Sequence, residues 1–320
     1  MSLTNFPNGI TSFGVPIVGQ GRFSSPWATH YFVDGTYGSD GNDGKTPGTA
    51  FLTIQKAVTV SIGGDVIYIR PKVYTIGTGF ARYEEDVSVT LGGTGGSGYT
   101  ATNANKSLIG VTQRIRPSDF VGVRWKFSSA TQLTVDAPAL HVENIGFFSE
   151  AGTYTINLRN NGATWTQQGS AGFSIYNCEI KGDAKLYSDG ADGLQIVNCR
   201  FQSKYDGTTG GINLVGSSNQ VKRAVIQGCE FIGGNSYNMS TAPINTAAPC
   251  WDLIIRDCYF SVATDTVYMI IAGTSNTGLV ANCYFGAADI NALCTGLVAG
   301  TSGVFPAALY DEVGIDDFSS

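Results

Sequence analysis

The stretch FSIYNCEI at residues 173–180 is one of five copies of the short phrase that decides the fold of this chain. Each copy joins a β-prone run, a small polar residue, a cysteine, one further residue and then an aromatic residue or isoleucine. The other copies are LQIVNCRF (194–201), AVIQGCEF (224–231), LIIRDCYF (253–260) and GLVANCYF (278–285), with a fainter LHVENIGF at 140–147. A constant strand phrase at irregular spacing predicts a solenoid whose coils each keep one strand and vary their loops.

The repeated cysteine predicts a column of stacked side chains in the interior of the solenoid. Equivalent positions of successive parallel strands lie ~4.8 Å apart, so like residues stack on like. We expect one inward, unbridged column of cysteines and, two positions further along each strand, an inward column of phenylalanines. The cysteines are Cys178, Cys199, Cys229, Cys258 and Cys283, and the phenylalanines are Phe201, Phe231, Phe260 and Phe285. The position just before the ladder residue is usually asparagine (Asn144, Asn177, Asn198 and Asn282), with Gly228 and Asp257 as the exceptions. This repeated asparagine predicts a hydrogen-bonded ladder of side-chain amides at one corner of the solenoid.

Composition excludes several classes of protein. The 42 glycines and 14% charged residues among 320 fit a turn-rich β protein, and the net charge of −6 argues against nucleic acid as a partner. No run approaches the ~20 apolar residues of a membrane span. The N-terminus has no secretory-signal pattern, so we expect synthesis in the cytoplasm with reduced thiols. No CxxC or Cys/His cluster occurs, so neither a metal site nor a cofactor is expected from the cysteines.

Residues 1–27 are apolar, punctuated by proline and glycine, and nearly uncharged. A segment of this kind cannot build its own core, yet it is too apolar for a free tail. It is either a strap along the first coils or an arm that docks on another protein. The residues expected to make such contacts are Phe6, Ile10, Phe13, Val15 and Ile17.

An Asp- and Gly-rich turn and one helix follow the first strand, YFVD. Asp34, Asp40, Asn42 and Asp43 could surround a calcium ion, but the same residues also suit the capping of their own turns, which is the interpretation we favour. The helix is predicted at about residues 50–62, with Thr49 as its cap and an apolar face of Phe51, Ile54, Val58 and Ile62. Such a helix would cover an open β edge.

Two resemblances rest on these features. The order strand, Asp–Gly turn, capping helix AFLTIQKAV and NCxF coils over residues 30–300 resembles the pectate-lyase-like superfamily, which implies a right-handed parallel β-helix. The opening NFPNGITSFGVPIVG (5–19), ahead of YFVD and GDVIYI, resembles a group of tailed-phage proteins. This second resemblance implies a virion component and, as is usual for such proteins, a homotrimer.

The superfamily also contains polysaccharide lyases and hydrolases, whose hydrolytic members need paired carboxylates on neighbouring coils. No NTD or GHG signature occurs in this chain. The remaining acidic candidates are Glu179, Asp183, Asp189, Asp192, Asp206 and Glu230, which we interpret as turn caps and exposed strand charges. Arg70, at the end of the GDVIYI strand, has no recognisable acidic partner. Aromatic residues that could instead stack on sugars are Trp165, Tyr187, Tyr205, Tyr237 and Trp251.

The sequence therefore favours a non-enzymatic particle protein made of an arm (1–27), a β-helix body (28–304) and a C-terminal cap or tail (305–320). We expect a decoration protein, head spike or fibre on the surface of a phage particle, with the major capsid protein or another virion protein as its partner. The alternatives are a tailspike-like depolymerase and a non-catalytic protein that binds a host surface glycan. Fold alone assigns neither activity.

Overall fold

The computed structural model describes residues 10–12, 15–18, 28–73, 81–90, 104–111, 122–127, 133–149, 156–159, 169–182, 185–188, 191–202, 211–214, 221–233, 243–246, 250–261, 270–285 and 294–297. In this part of the chain the structure is all-β apart from the α-helix α1 (Ile54–Val60) and a 3₁₀ turn (Pro47–Thr49). The predicted all-β class is confirmed.

Most strands belong to three parallel sheets. Sheet 1 contains β3 (His30–Asp34), β4 (Val66–Arg70), β6 (Ser107–Gly110), β9 (His141–Glu143), β12 (Ser174–Tyr176), β15 (Gln195–Val197), β19 (Val225–Gln227), β23 (Leu253–Arg256) and β26 (Gly278–Ala281). Sheet 2 contains β7 (Val123–Phe127), β10 (Ile145–Ser149), β13 (Glu179–Gly182), β16 (Arg200–Gln202), β20 (Glu230–Ile232), β24 (Tyr259–Ser261) and β27 (Tyr284–Phe285). Sheet 3 contains β5 (Val87–Thr90), β8 (Leu133–Asp136), β11 (Ile156–Leu158), β14 (Lys185–Ser188), β17 (Gly211–Leu214), β21 (Ile244–Thr246), β25 (Ile270–Asn276) and β28 (Cys294–Leu297).

Two smaller sheets complete the described strands. An antiparallel hairpin joins β1 (Ile10–Ser12) to β2 (Val15–Val18), and a parallel pair joins β18 (Val221–Lys222) to β22 (Cys250–Trp251). From β6 onward the chain enters sheets 1, 2 and 3 in the same order in each repeat. Each strand pairs in parallel with its counterpart one repeat away, so equivalent residues lie side by side.

The interior contains the two columns that the repeated phrase predicts. Cys178, Cys199, Cys229 and Cys258 are buried free thiols, and Cys283 is a partly buried one. Burial raises the pKa of Cys178 to about 12, so this thiol stays neutral at ordinary pH. The stacking of the phenylalanines is shown by the rings of Phe201, Phe231 and Phe260, whose centroids are 5.0 and 4.8 Å apart with planes 7° from parallel. The side chain of Phe285 lies outside the described part of the structure. These apolar columns form the centre of the core.

The asparagine before each ladder residue has a backbone role that the sequence did not reveal. The φ angles are +58° at Asn144, +51° at Asn177, +53° at Asn198, +56° at Asp257 and +50° at Asn282, and Gly228 has +64°. This left-handed conformation turns the chain sharply from sheet 1 into sheet 2, and asparagine, aspartate and glycine tolerate it best. An amide contact along this corner joins Asn282 Nδ2 to Asp257 Oδ1 at 3.4 Å. Backbone conformation therefore accounts for the residue choice more directly than the expected amide ladder.

The N-terminal end of the three sheets is closed by the chain itself. In sheet 1, Phe51 N–H donates to Phe32 O and Asp34 N–H donates to Phe51 O, which covers the outer edge of β3. In sheet 2, Tyr83 bonds through its N–H to Arg124 O and accepts from Lys126 N–H. The helix α1 lies beside β5, the first strand of sheet 3, where Gln55 Oε1 accepts from Ser88 N–H at 2.8 Å.

The helix is shorter than the predicted span of residues 50–62. Its N-cap is Thr53, whose hydroxyl accepts from Lys56 N–H, and not Thr49, which ends the 3₁₀ turn. Two residues of the predicted apolar face therefore lie outside the helix. Phe51 precedes it, is buried and forms a β-bridge with Val33, whereas Ile62 follows it and has 56% of its surface exposed. The helix therefore covers a sheet edge, as expected, with Ile54, Ala57 and Val58 as its buried face.

Candidate functional site

The Asp-rich turn after β3 is held by its own side chains. Asp34 Oδ1 accepts from Thr36 and Tyr37 N–H at 2.9 and 3.1 Å. Asp40 Oδ1 accepts from Leu52 and Thr53 N–H at 2.9 and 3.0 Å. These contacts match the turn-capping interpretation.

The other two calcium candidates also cap the turn. Asn42 Nδ2 donates to Ala50 O at 2.9 Å, and Asp43 Oδ1 accepts from Thr49 Oγ1 at 2.6 Å. Within the described residues, no group of three or more His, Cys, Asp or Glu side chains is arranged to hold a metal ion. The Oδ1 atoms of Asp34, Asp40 and Asp43 are therefore directed at backbone and hydroxyl donors.

The prediction that Arg70 has no acidic partner is wrong. Its Nη1 lies 2.6 Å from Asp34 Oδ2, because β3 and β4 are neighbours in register and place residues 34 and 70 side by side. Burial alone would raise the pKa of Asp34, but the hydrogen bonds from Thr36, Tyr37 and Arg70 outweigh it and lower the pKa. Asp34 therefore remains ionised and joins the turn to the first two strands.

The described candidate carboxylates are engaged by arginines or buried. Asp192 forms a bidentate pair with Arg223, in which Nε and Nη2 lie 3.0 and 2.7 Å from the two carboxylate oxygens. Glu230 Oε2 lies 3.5 Å from Arg200 Nε. The expectation that Glu179 is an exposed strand charge is wrong, since it is 1% exposed. Asp183, Asp189 and Asp206 lie outside the described residues.

Sheet 1 contains a polar row that sequence reasoning missed. Ser174 Oγ is 2.9 Å from His141 Nδ1, and His141 Nε2 is 3.3 Å from Glu143 Oε2. Strand alternation places residues 141 and 143 on one face, and the register of β9 with β12 adds Ser174. The signal in the sequence was the HVE pattern at residues 141–143, which lies one repeat before the FSIY pattern at residues 173–176 and so places His141 beside Ser174. Ser174 and His141 are 7% and 3% exposed, so the row cross-links neighbouring strands and offers no accessible nucleophile.

Exposed aromatic side chains occur in the later repeats. Trp251, which was expected in a loop, lies on β22 and receives the Lys222 ammonium over its ring at 4.9 Å from the centroid. Tyr259 and Tyr284 stack with centroids 4.9 Å apart, and 43% and 60% of their surfaces are exposed. The side chains of Trp165, Tyr187, Tyr205 and Tyr237 lie outside the described part of the chain.

The arm residues are described only through their backbone. Ile10 lies on β1, and Val15 and Ile17 lie on β2. Phe6 and Phe13 lie outside the described residues.

Among the helices that the structure describes, none has the length and apolarity needed to cross a membrane.

Comparisons with known proteins find no matching family model and no curated protein with a significant match. Two solved structures are similar in part. A rhamnogalacturonan lyase is 17% identical over 80% of this chain and 68% of its own, with a TM-score of 0.39. A protein from Parabacteroides merdae, described as a putative glycosyl hydrolase, is 13% identical over 78% of this chain and 90% of its own, with a TM-score of 0.25. Alignments this loose carry no argument about activity.

Proposed function

We propose that this protein is a structural component of a tailed-phage particle, a decoration protein, head spike or fibre that is exposed on the particle surface. In this proposal the three sheets close into a right-handed parallel β-helix, and three copies associate side by side. The arm of residues 1–27 docks on another polypeptide of the particle, either a trimer mate or the capsid shell. The phage assignment comes from the resemblance of the opening sequence.

One observation carries the preference for a structural role over catalysis. Among the described candidate carboxylates, Asp192 forms a bidentate pair with Arg223, Glu230 lies 3.5 Å from Arg200 Nε, and Glu179 is buried. Hydrolysis of a glycosidic bond needs one carboxyl group that can protonate the leaving oxygen and a second that activates water or attacks the sugar. A carboxylate paired with an arginine has its oxygens turned to that arginine rather than to a sugar. The pairs therefore support a scaffold, in which charges join neighbouring repeats.

A glycan-cleavage assay tests this preference. The purified chain, incubated with host capsule and lipopolysaccharide, should release no new reducing ends and no unsaturated sugars. The variants Asp192→Asn and Glu230→Gln should behave as the wild type does. Turnover by the wild type that disappears in either variant would transfer the assignment to the depolymerase alternative.

Imaging of intact particles tests the location. Antibody or gold labelling of the protein should decorate the particle surface at a fixed position of the head. Labelling confined to the tail tip would contradict the capsid assignment, and an absence of label from particles would contradict the whole proposal.

A further inference from the structure

The C-terminal end of the sheets differs from the closed N-terminal end. In sheet 1, Val280 occupies the column position of Ile196, Ile226 and Ile255, which are 0–1% exposed, yet Val280 is only partly buried. Cys283 is likewise only partly buried, whereas Cys258 one repeat earlier is 2% exposed. Among the described residues, the apolar columns are therefore less deeply buried at this end than in the middle of the sheets.

The last strands of sheets 1 and 2 have one edge with no described partner. β26 pairs with β23, and β27 pairs with β24, and each is the terminal strand of its sheet. Leu279 on β26 and Tyr284 on β27 are 39% and 60% exposed. A strand edge with unpaired backbone groups and exposed apolar side chains is a template for another strand.

The hairpin of the arm has the complementary property. Among the described strands, β1 and β2 pair only with each other, so each has an outer edge without a described partner. Two strands alone are marginal in water, and a hairpin of this size gains stability when it extends a larger sheet.

The length of the connection decides which copy the hairpin can reach. From Val18 to His30 the chain has 12 steps, which span ~40 Å at full extension. Sheet 1 has nine strands, so its far end lies eight strand spacings, or ~38 Å, from β3. To lie beyond β26 of its own chain, the hairpin would need the connection to run fully straight along the whole sheet. No residues would then remain for the connection to turn at either end. A copy stacked end to end presents its open edge at short range.

We propose that the β1–β2 hairpin of one copy adds to the C-terminal edge of a second copy, at β26 or β27, where no described strand pairs on the outer side. The inference rests on the proposed function only in giving the arm a protein partner, and it selects a copy of the same chain along the axis of the sheets. Such a contact is heterologous, so it continues as a row of copies unless it closes into a ring. The copy at one end of a row keeps a free arm.

Sedimentation of the full chain and two variants tests this contact. One variant lacks residues 2–24, and the other has Leu279→Lys and Tyr284→Lys, which add charges that oppose edge pairing. The wild type should grow beyond its basic assembly as concentration rises, and each variant should weaken that growth at least about tenfold, because each removes one half of the contact. The matched control is Val111→Lys, a residue 54% exposed that follows β6 within the stack and away from both ends, which should associate as the wild type does.

A mixing experiment separates this contact from a general loss of solubility or folding. The arm-deleted copy keeps its edge, and the lysine double variant keeps its arm, so the mixture should form one pairwise contact and stop there. Circular dichroism of each variant should match the wild type. Arm-deleted protein that still associates as the wild type does, or a mixture that forms no contact, would overturn the inference. Either result would leave the location on particles, and hence the proposed function, to be decided by imaging.

Discussion

The described residues at the two ends of the parallel sheets make different interactions. At the N-terminal end, single polar groups complete the closure: Glu85 accepts from Ile54 and Gln55 N–H at 3.0 Å each, and buried Lys106 donates to Val58 and Ser61 carbonyls at 2.7 Å each. At the C-terminal end the apolar columns run out at Val280 and Cys283 with no such groups described. The repeats between the ends are therefore held by apolar stacking, whereas the end of the stack at β3 and β5 has backbone groups that are satisfied individually.

The largest expected effect on stability comes from a single charge placed in the cysteine column. The comparison is between a charge in the middle of the column and one at its end. Cys229→Asp should lower the free energy of unfolding by about 3–5 kcal/mol, because it buries an unpaired charge. Cys283→Asp should cost distinctly less, because that position is partly open to water. Urea unfolding of both variants, with Cys229→Ala as the control for lost volume, measures the comparison. Equal costs would show that the C-terminal end is as closed as the middle.

The closed end should respond to pH through Lys106. Burial lowers the pKa of Lys106 from 10.5 to about 8, with Asp65 opposing the shift. Between these values the unfolded chain binds more protons than the folded chain, so the free energy of unfolding should rise as pH increases from 8 to 10.5. The gain relative to Lys106→Met should reach up to about 3 kcal/mol.

Denaturant unfolding across this pH window measures that gain. The control is Lys106→Arg, which keeps its charge throughout and should therefore lose the same pH dependence. A wild-type protein whose stability relative to both variants is constant from pH 8 to 10.5 would show that Lys106 is not buried as described.

A smaller effect is expected at the corner between sheets 1 and 2. Asn198 has a φ of +53°, so Asn198→Ala should cost about 1 kcal/mol more than Asn198→Gly. Gly228 stands in the same corner one repeat later and shows that glycine suits the position. Thermal unfolding of the two variants gives the difference. If alanine and glycine are equally tolerated, the amide contacts and not the backbone conformation explain the asparagines.

The sequence predicted the repeating body well and its polar details poorly, for a physical reason. The cysteine and phenylalanine columns use one residue type at every repeat, so the pattern is visible in the chain. Glu85 and Lys106 each occur once and contact residues 30–48 positions away, which no local pattern marks. Strand alternation placed Glu179 opposite the inward Ile180, but it could not show that Glu179 is also buried. Arg70 contacts Asp34, 36 positions away, because the register of the two strands places them side by side.

The central claim, that this chain is a particle component attached through its arm, is tested most directly by counting its copies on purified particles. Particles assembled with the wild type should carry the protein in a readily counted number of copies. Particles assembled with the chain lacking residues 2–24 should carry few copies or none, although that variant remains folded by circular dichroism. Incorporation of the truncated chain at the wild-type copy number would contradict attachment through the arm.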